Sequence, residues 1–174
     1  WQSPKPKPSA PNKVVGRGLA CMFKAPSMPP NAQSSAIIKF NEDATVHVLT
    51  TAVDIGQGSL TSLAQIAAEE LGVPFDWVTV LTPDTDYTPY EWQTVASRIT
   101  YSCGNAVKRA AADAKQQLLT LGAAIFNVTA ELVAIEDGFI FSKLNPGKKL
   151  PFADVVMGYL TPNGAIGGPV IGRG

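Results

Sequence analysis

Two stretches of this chain bring small and polar residues to the start of a helix, where backbone groups are free to bind something. The first is DIGQGS, residues 54–59, in which Gly56 and Gly58 bracket a lone glutamine. Glycine at both positions removes two side chains, so the backbone can take dihedrals closed to other residues or lie flat against something bulky. That bulk could be a ligand or a neighbouring strand. A helix start exposes N–H groups and partial positive charge, so a loop of small residues there can receive an anionic or polar ligand. Gln57 could donate and accept hydrogen bonds at once, or be an exposed loop residue without a role. The stretch is not a Walker loop, which needs Lys-Ser or Lys-Thr after its last glycine, and it lacks the third glycine of a dinucleotide fingerprint.

The second stretch is TPDTDYTPYEWQTVASRIT, residues 82–100. Thr94, Val95, Ala96 and Ser97 are small residues just ahead of a long helix, a second backbone surface that could converge with the first. Ser97 or Thr100 could instead be an N-cap. Arg98 is either solvated or a fork for an acidic group. Asp84 and Asp86 read as polar loop residues, and Glu91, beside Trp92, as a surface carboxylate. A third stretch, AIGGPVIGRG at the C-terminal end, suits a loop hugging a larger assembly or a linker. His47 alternates with Val46 and Val48 and reads as an outward-facing strand residue. One histidine with two distant cysteines cannot make a four-ligand zinc site. Both cysteines, Cys21 and Cys103, lie in apolar surroundings and are expected to pack as small hydrophobes.

The elements that must position these stretches follow from periodicity and punctuation. Residues 1–12 carry four prolines and two lysines and should run extended, so residues 1–13 read as a linker and residues 14–174 as one domain. VVGRGLACMF predicts a strand over Val14–Phe23, weakened by two glycines. SAIIKF and TVHVLTT around NEDA predict a hairpin. Leu60, Leu63, Ala64, Ala67 and Leu71 lie at helical spacing and predict a helix over 59–71, stopped by Gly72 and Pro74. WVTVL, residues 77–81, predicts a strand, and a second helix should run from about Tyr101 to about Phe126. ELVAIEDGFIFS predicts a hairpin turning at Asp137-Gly138, and LPFADVVMGYL a last short helix entered through Pro151. The order predicts an α+β fold in two layers, a mixed sheet of four to six strands with two main helices on one face. A doubly wound nucleotide fold is disfavoured, because a hairpin joins the first strands. VVGRG at 14–18 and VIGRG at 170–174 echo each other, by repeat or by chance.

Bulk properties exclude several classes. At 174 residues, with 45% hydrophobic and 16% charged residues and a formal net charge of zero, the chain is of single-domain size and carries no mark of disorder or of nucleic-acid binding. No apolar run approaches the roughly 20 residues that cross a membrane, and a cytoplasmic setting is expected. The non-methionine start and the glycine-rich end suggest an excised piece.

GRGLACMFK, DIGQG, QIAAEELGVP, DTDYTPYEWQTVASRITYSCGNAVKRA and AIGGPVIGRG, in that order, are similar to the molybdenum-cofactor-binding large subunit of the xanthine dehydrogenase and aldehyde oxidase family. More narrowly, residues 14–174 resemble the first part of its second molybdopterin-binding region. The resemblance implies a hydroxylase that inserts a water-derived oxygen into a carbon–hydrogen bond of a heteroaromatic ring or aldehyde. Its molybdenum is held by a pyranopterin, and its electrons leave through iron–sulfur clusters and flavin on other domains or subunits. Carried onto this sequence, Gly56, Gln57 and Gly58 match the loop that approaches the cofactor, Gln57 reaching its polar edge. Thr94, Val95, Ala96 and Ser97 match the small-residue floor, continued by Arg98. None of these is a direct metal ligand. The family's glutamate base falls beyond Gly174, the other pterin-binding loops precede the region, and no iron–sulfur cysteine pattern is present. The isolated piece is therefore expected to be apo and inactive, its partners being the rest of the subunit, the iron–sulfur and flavin components and a small-molecule substrate. A standalone binding or scaffold module that kept the fold without the chemistry is the alternative.

Overall fold

The computed structural model describes residues 3–4, 6–23, 27–81 and 83–174. Ile37–Phe40 (β1) and Val46–Leu49 (β2) form the expected antiparallel hairpin, Ile37 opposite Leu49 and Phe40 opposite Val46. Ile38, Phe40, Val46 and Val48 are buried on one face, while exposed Lys39 and half-buried His47 take the alternate positions. Ser59–Leu71 (α1) buries Leu63, Ala64, Ala67 and Leu71. It ends where Gly72 turns left-handed, φ 74°, with its N–H on Ala68 O at 2.9 Å.

The helix α1 carries the chain to Val78–Val80 (β3), which pairs parallel to β2, Val46 opposite Val78 and Val48 opposite Val80. A parallel pair needs such a crossover. The loops that follow β2 and β3 therefore emerge from the same end of the sheet. A π-helical turn, Ile99–Cys103, leads into Gly104–Phe126 (α2), in register with the expected second helix. α1 packs beside β3, α2 crosses β1, and the two helices touch each other, so both lie on one face of the sheet.

The rest of the chain completes and buttresses this unit. Val133–Glu136 (β4), Phe139–Ser142 (β5) and Lys149–Pro151 (β6) form a separate antiparallel sheet, turning at Asp137 (φ 50°) and Gly138 (φ 76°) as expected. Tyr159–Thr161 (β7) and Gly164–Ile166 (β8) form a small hairpin. Ile171–Arg173 (β9) pairs antiparallel with β1 and completes a four-stranded mixed sheet in the order β3-β2-β1-β9. The architecture is α+β, with the two main helices on one face of that sheet.

Four sequence expectations are corrected. The glycine-rich C-terminal stretch is not a loop, since β9 lies within it. Its glycines admit the α2 backbone: a Cβ on Gly172 would lie 1.9 Å from Ala110 O and one on Gly174 2.1 Å from Ala106 O. Residues 14–23 form no strand; Gly16 and Gly18 interrupt the apolar run, and Val14, Leu19, Met22 and Phe23 are left exposed. The two GRG segments are thus an echo in sequence alone. The last helix shrinks to a 3-10 turn, Phe152–Asp154, broken by Gly158 at φ 103° and followed by β7. Cys103 is buried as expected, but Cys21 is exposed.

Candidate functional site

The loop after β2 is held mainly by its own side chains. Asp54 Oδ1 accepts the N–H groups of Gly56 (2.8 Å) and Gly58 (3.3 Å), and Oδ2 accepts that of Leu60 (3.3 Å). These N–H donors, Gly56 foremost, hold the Asp54 carboxyl below the usual carboxylate range. Gln57 folds back on the same loop: its Oε1 accepts Ile55 N–H at 2.7 Å, and its Nε2 donates to Ser59 Oγ at 2.8 Å and Val53 O at 3.3 Å. The amide is thereby fixed in place. The start of α1 is answered in part by Asp54, so its N–H groups are not all free for a ligand as the residue types alone suggested. Gly56 (φ 105°) and Gly58 (φ 78°) are required by the backbone, and a Cβ on either would meet nothing within 4 Å.

The loop after β3 has a local turn at its start, where Thr88 N–H and Oγ1 both donate to Asp84 O, and beyond it is held also by distant residues. Thr51 Oγ1 donates to Pro89 O at 2.5 Å, and Trp92 N–H reaches Gln33 O at 3.2 Å beside an isolated bridge between Ser34 and Glu91. Thr94 joins the two loops directly. Its Oγ1 donates to Val53 O at 2.7 Å and accepts Val53 N–H at 3.2 Å. Beyond it, Ala96 and Ser97 both take positive φ, 52° and 56°. The π-helical turn then starts without a side-chain cap, so neither Ser97 nor Thr100 serves as the N-cap.

Between the loops lies a cavity of about 410 Å³, lined by Ile55, Gln57, Ser59 and Ser62 on one side and by residues 94–100 on the other. The structure therefore brings Gln57 together with Thr94, Val95, Ala96, Ser97 and Arg98, while Gly56 and Gly58 flank the lining. The Arg98 guanidinium is engaged elsewhere. It is 2% exposed and forms a buried ion pair with Glu91, itself 7% exposed, so Glu91 is not the surface carboxylate expected from sequence. A buried acid seven residues ahead of an arginine has no periodic signature; an extended segment that doubles back on residues 32–34 is what joins them.

The wall offers hydroxyls, one fixed amide, small apolar surface and the successive N–H groups of Ala96 and Ser97, which donate to no protein acceptor among the described residues. Its lining residues include no carboxylate, histidine or cysteine. Among the described residues no group of three or more His, Cys, Asp or Glu is placed to hold a metal ion. Such a wall can bind and orient a polar planar group but has no side chain suited to move a proton at neutral pH.

Residues 1–169 match the family described as molybdopterin cofactor-binding domain. A subunit of the nicotinate dehydrogenase of Pseudomonas putida is 36% identical over 148 residues, 85% of this chain and 12% of that protein. The xanthine dehydrogenase molybdenum-binding subunit of Escherichia coli O157:H7 is 32% identical over 138 residues, 78% of this chain and 18% of that protein. The crystal structure of quinoline 2-oxidoreductase from Pseudomonas putida 86 superposes with a TM-score of 0.71 and 28% identity, over 84% of this chain and 19% of that one. The chain thus spans less than a fifth of the length of each. With the fold and the paired loops, these matches establish that the chain belongs to the molybdopterin cofactor-binding domain family, among the molybdenum hydroxylases of the xanthine dehydrogenase and aldehyde oxidase type.

Proposed function

We propose that this chain forms one wall of the molybdenum-cofactor site in the large subunit of a xanthine dehydrogenase-like hydroxylase. The observation that carries the reading is the shared cavity, in which the Gln57 loop and residues 94–98 face each other across about 410 Å³. The group fits these residues. Open space beside Gly56 and Gly58 leaves room for a flat ring system, and the Gln57 amide with the free N–H groups of Ala96 and Ser97 can hydrogen-bond its heteroatoms. When bound, the cofactor supplies the oxidative hydroxylation of a heteroaromatic or aldehyde carbon with water-derived oxygen. The chain's own part is to bind and orient it: Gln57 is locked by its loop with an acceptor lone pair to spare, and the small residues at 94–97 keep the floor flat.

Because the wall holds no proton-transfer group, the base and the remaining pterin contacts come from other parts of the subunit in this reading, and the isolated chain is apo and inactive. Exposed Val14, Leu19, Met22 and Phe23 favour a part of a larger subunit over a standalone scaffold. Iron–sulfur and flavin components complete the electron path in the assembled enzyme. The test is Gln57→Ala in the complete subunit. Molybdenum content or turnover should fall about 10- to 100-fold; both unchanged would remove Gln57 from the site.

A further inference from the structure

The floor of the cavity does not hold its own shape. Ala96 and Ser97 are consecutive non-glycine residues in the left-handed region, φ 52° and 56°, and such residues persist only where the surroundings over-determine them. Neither side chain forms a hydrogen bond among the described residues, and the local backbone bond is Arg98 N–H to Val95 O at 3.1 Å. The Arg98 backbone lies just past the bend, yet its guanidinium returns to the residues before it. Nη1 donates to Gln93 O at 3.1 Å and meets the Glu91 carboxylate. Nη2 donates to Ser34 Oγ at 2.7 Å and to Ala32 O and Gln33 O at 3.2 Å each. The guanidinium carbon lies 5.7 Å from the centre of the Trp92 ring. One planar fork thus ties both ends of the floor segment together and fastens them to the stretch ahead of β1.

We propose that Glu91 and Arg98 form a buried clasp that sets the curvature of the Thr94–Ser97 floor, with Arg98 a positioning residue whose guanidinium does not touch the ligand. The functional consequence rests on the reading of the cavity as a cofactor wall. Fork geometry is what distinguishes a clasp from a mere charge, because lysine keeps the charge but presents a point donor in place of a planar pair of amino groups.

The experiment uses the complete molybdenum-binding subunit with its partner subunits, carrying Arg98→Lys or the double change Glu91→Leu with Arg98→Leu. The double variant guards against misfolding, since an apolar pair often replaces a buried ion pair without loss of fold. Hydrogen–deuterium exchange is followed at the amides of Trp92 and residue 98, which donate to Gln33 O and Val95 O on either side of the floor, with β1 and β2 as internal references, and molybdenum content is measured on the same samples. Exchange at these two amides should become about tenfold faster in both variants, with β1 and β2 unchanged and less molybdenum bound. Unchanged exchange at both amides, or exchange raised equally in β1 and β2, overturns the clasp. Faster exchange confined to these amides with full molybdenum content upholds the clasp and counts against the cavity as a cofactor wall, so the two failures read apart.

Discussion

The two halves of the cavity wall reach the same place by opposite means. Residues 53–59 close on themselves: Asp54 collects N–H groups two to six residues ahead, Gln57 bonds Ile55, Val53 and Ser59, and the left-handed positions are glycines. Residues 91–98 close partly on themselves, through Arg98 to Val95 O, Gln93 O and Glu91, but the same guanidinium is fastened from outside. Their left-handed positions are Ala96 and Ser97, and their anchors lie some 65 positions away in sequence, at Ala32, Gln33 and Ser34. A loop that carries its own supports is stable wherever it is placed, whereas one held from outside keeps its shape only in the folded sheet. Strain on the second side is therefore answered by burial, and damage to it should be larger and less local.

The sharpest break of this contrast is Arg98→Leu alone, which strands the Glu91 carboxylate in a site 7% exposed. Unfolding free energy should drop by about 3–5 kcal/mol, measured by denaturant titration, and the added change Glu91→Leu should restore only the part due to the stranded carboxylate, since Ala32 O, Gln93 O and Ser34 Oγ still lack their donor. A loss below about 1 kcal/mol would mean that water reaches the pair. Next in size is a reciprocal pair of changes in the turns. Gly58→Ala forces a Cβ onto φ 78°, where no neighbour obstructs it, so the cost is backbone alone, about 1–2 kcal/mol. Ala96→Gly relieves the same conformation but frees the unfolded chain, and should change stability by less than about 0.5 kcal/mol. If both changes cost alike, the left-handed turns are not what separates the two loops. Thr94→Val removes the one side chain bonded to both N–H and C=O of Val53 and should cost about 1 kcal/mol, with faster amide exchange at Val53.

The same contrast explains what was legible in the sequence. Local physics was readable: the helix over 59–71 with its left-handed Gly72, the hairpin around residues 41–44 and the tight turn at Asp137-Gly138 all follow from spacing and glycine within a few residues. Long-range physics was not. β9 hides in a glycine-rich stretch because its glycines answer to the α2 backbone, and glycine ordinarily speaks against a strand. Glu91 and Arg98 meet because the 90–98 segment doubles back on residues 32–35. The convergence of the two loops has a topological cause. TVHVL, a helix and VTV form a β-α-β unit, and a parallel pair puts both following loops at one end, where ligands of such units sit. The family resemblance named the paired loops, while the strand order supplies the reason they meet.

The smallest effect expected is a pH response confined to the first loop. Asp54 is a carboxylate held below its ordinary value of 3.8 by N–H donors of Gly56, Leu60 and Gly58. Its protonation is disfavoured in the folded state, so the contribution it makes is fully present above pH 3.8 and is lost as pH falls through the lowered value. Because Asp54 is only half-buried and its bonds stay within its own loop, the change is one of local order and little of global stability. Amide proton shifts of Gly56 should titrate with a midpoint below 3.8, and Asp54→Asn should abolish that titration while leaving the fold intact. The floor at Val95–Ser97 has no such donor–carboxylate contact, so its amides should stay still through the Gly56 midpoint. A shared midpoint would show that Thr94 couples the two loops tightly enough for them to loosen as one unit.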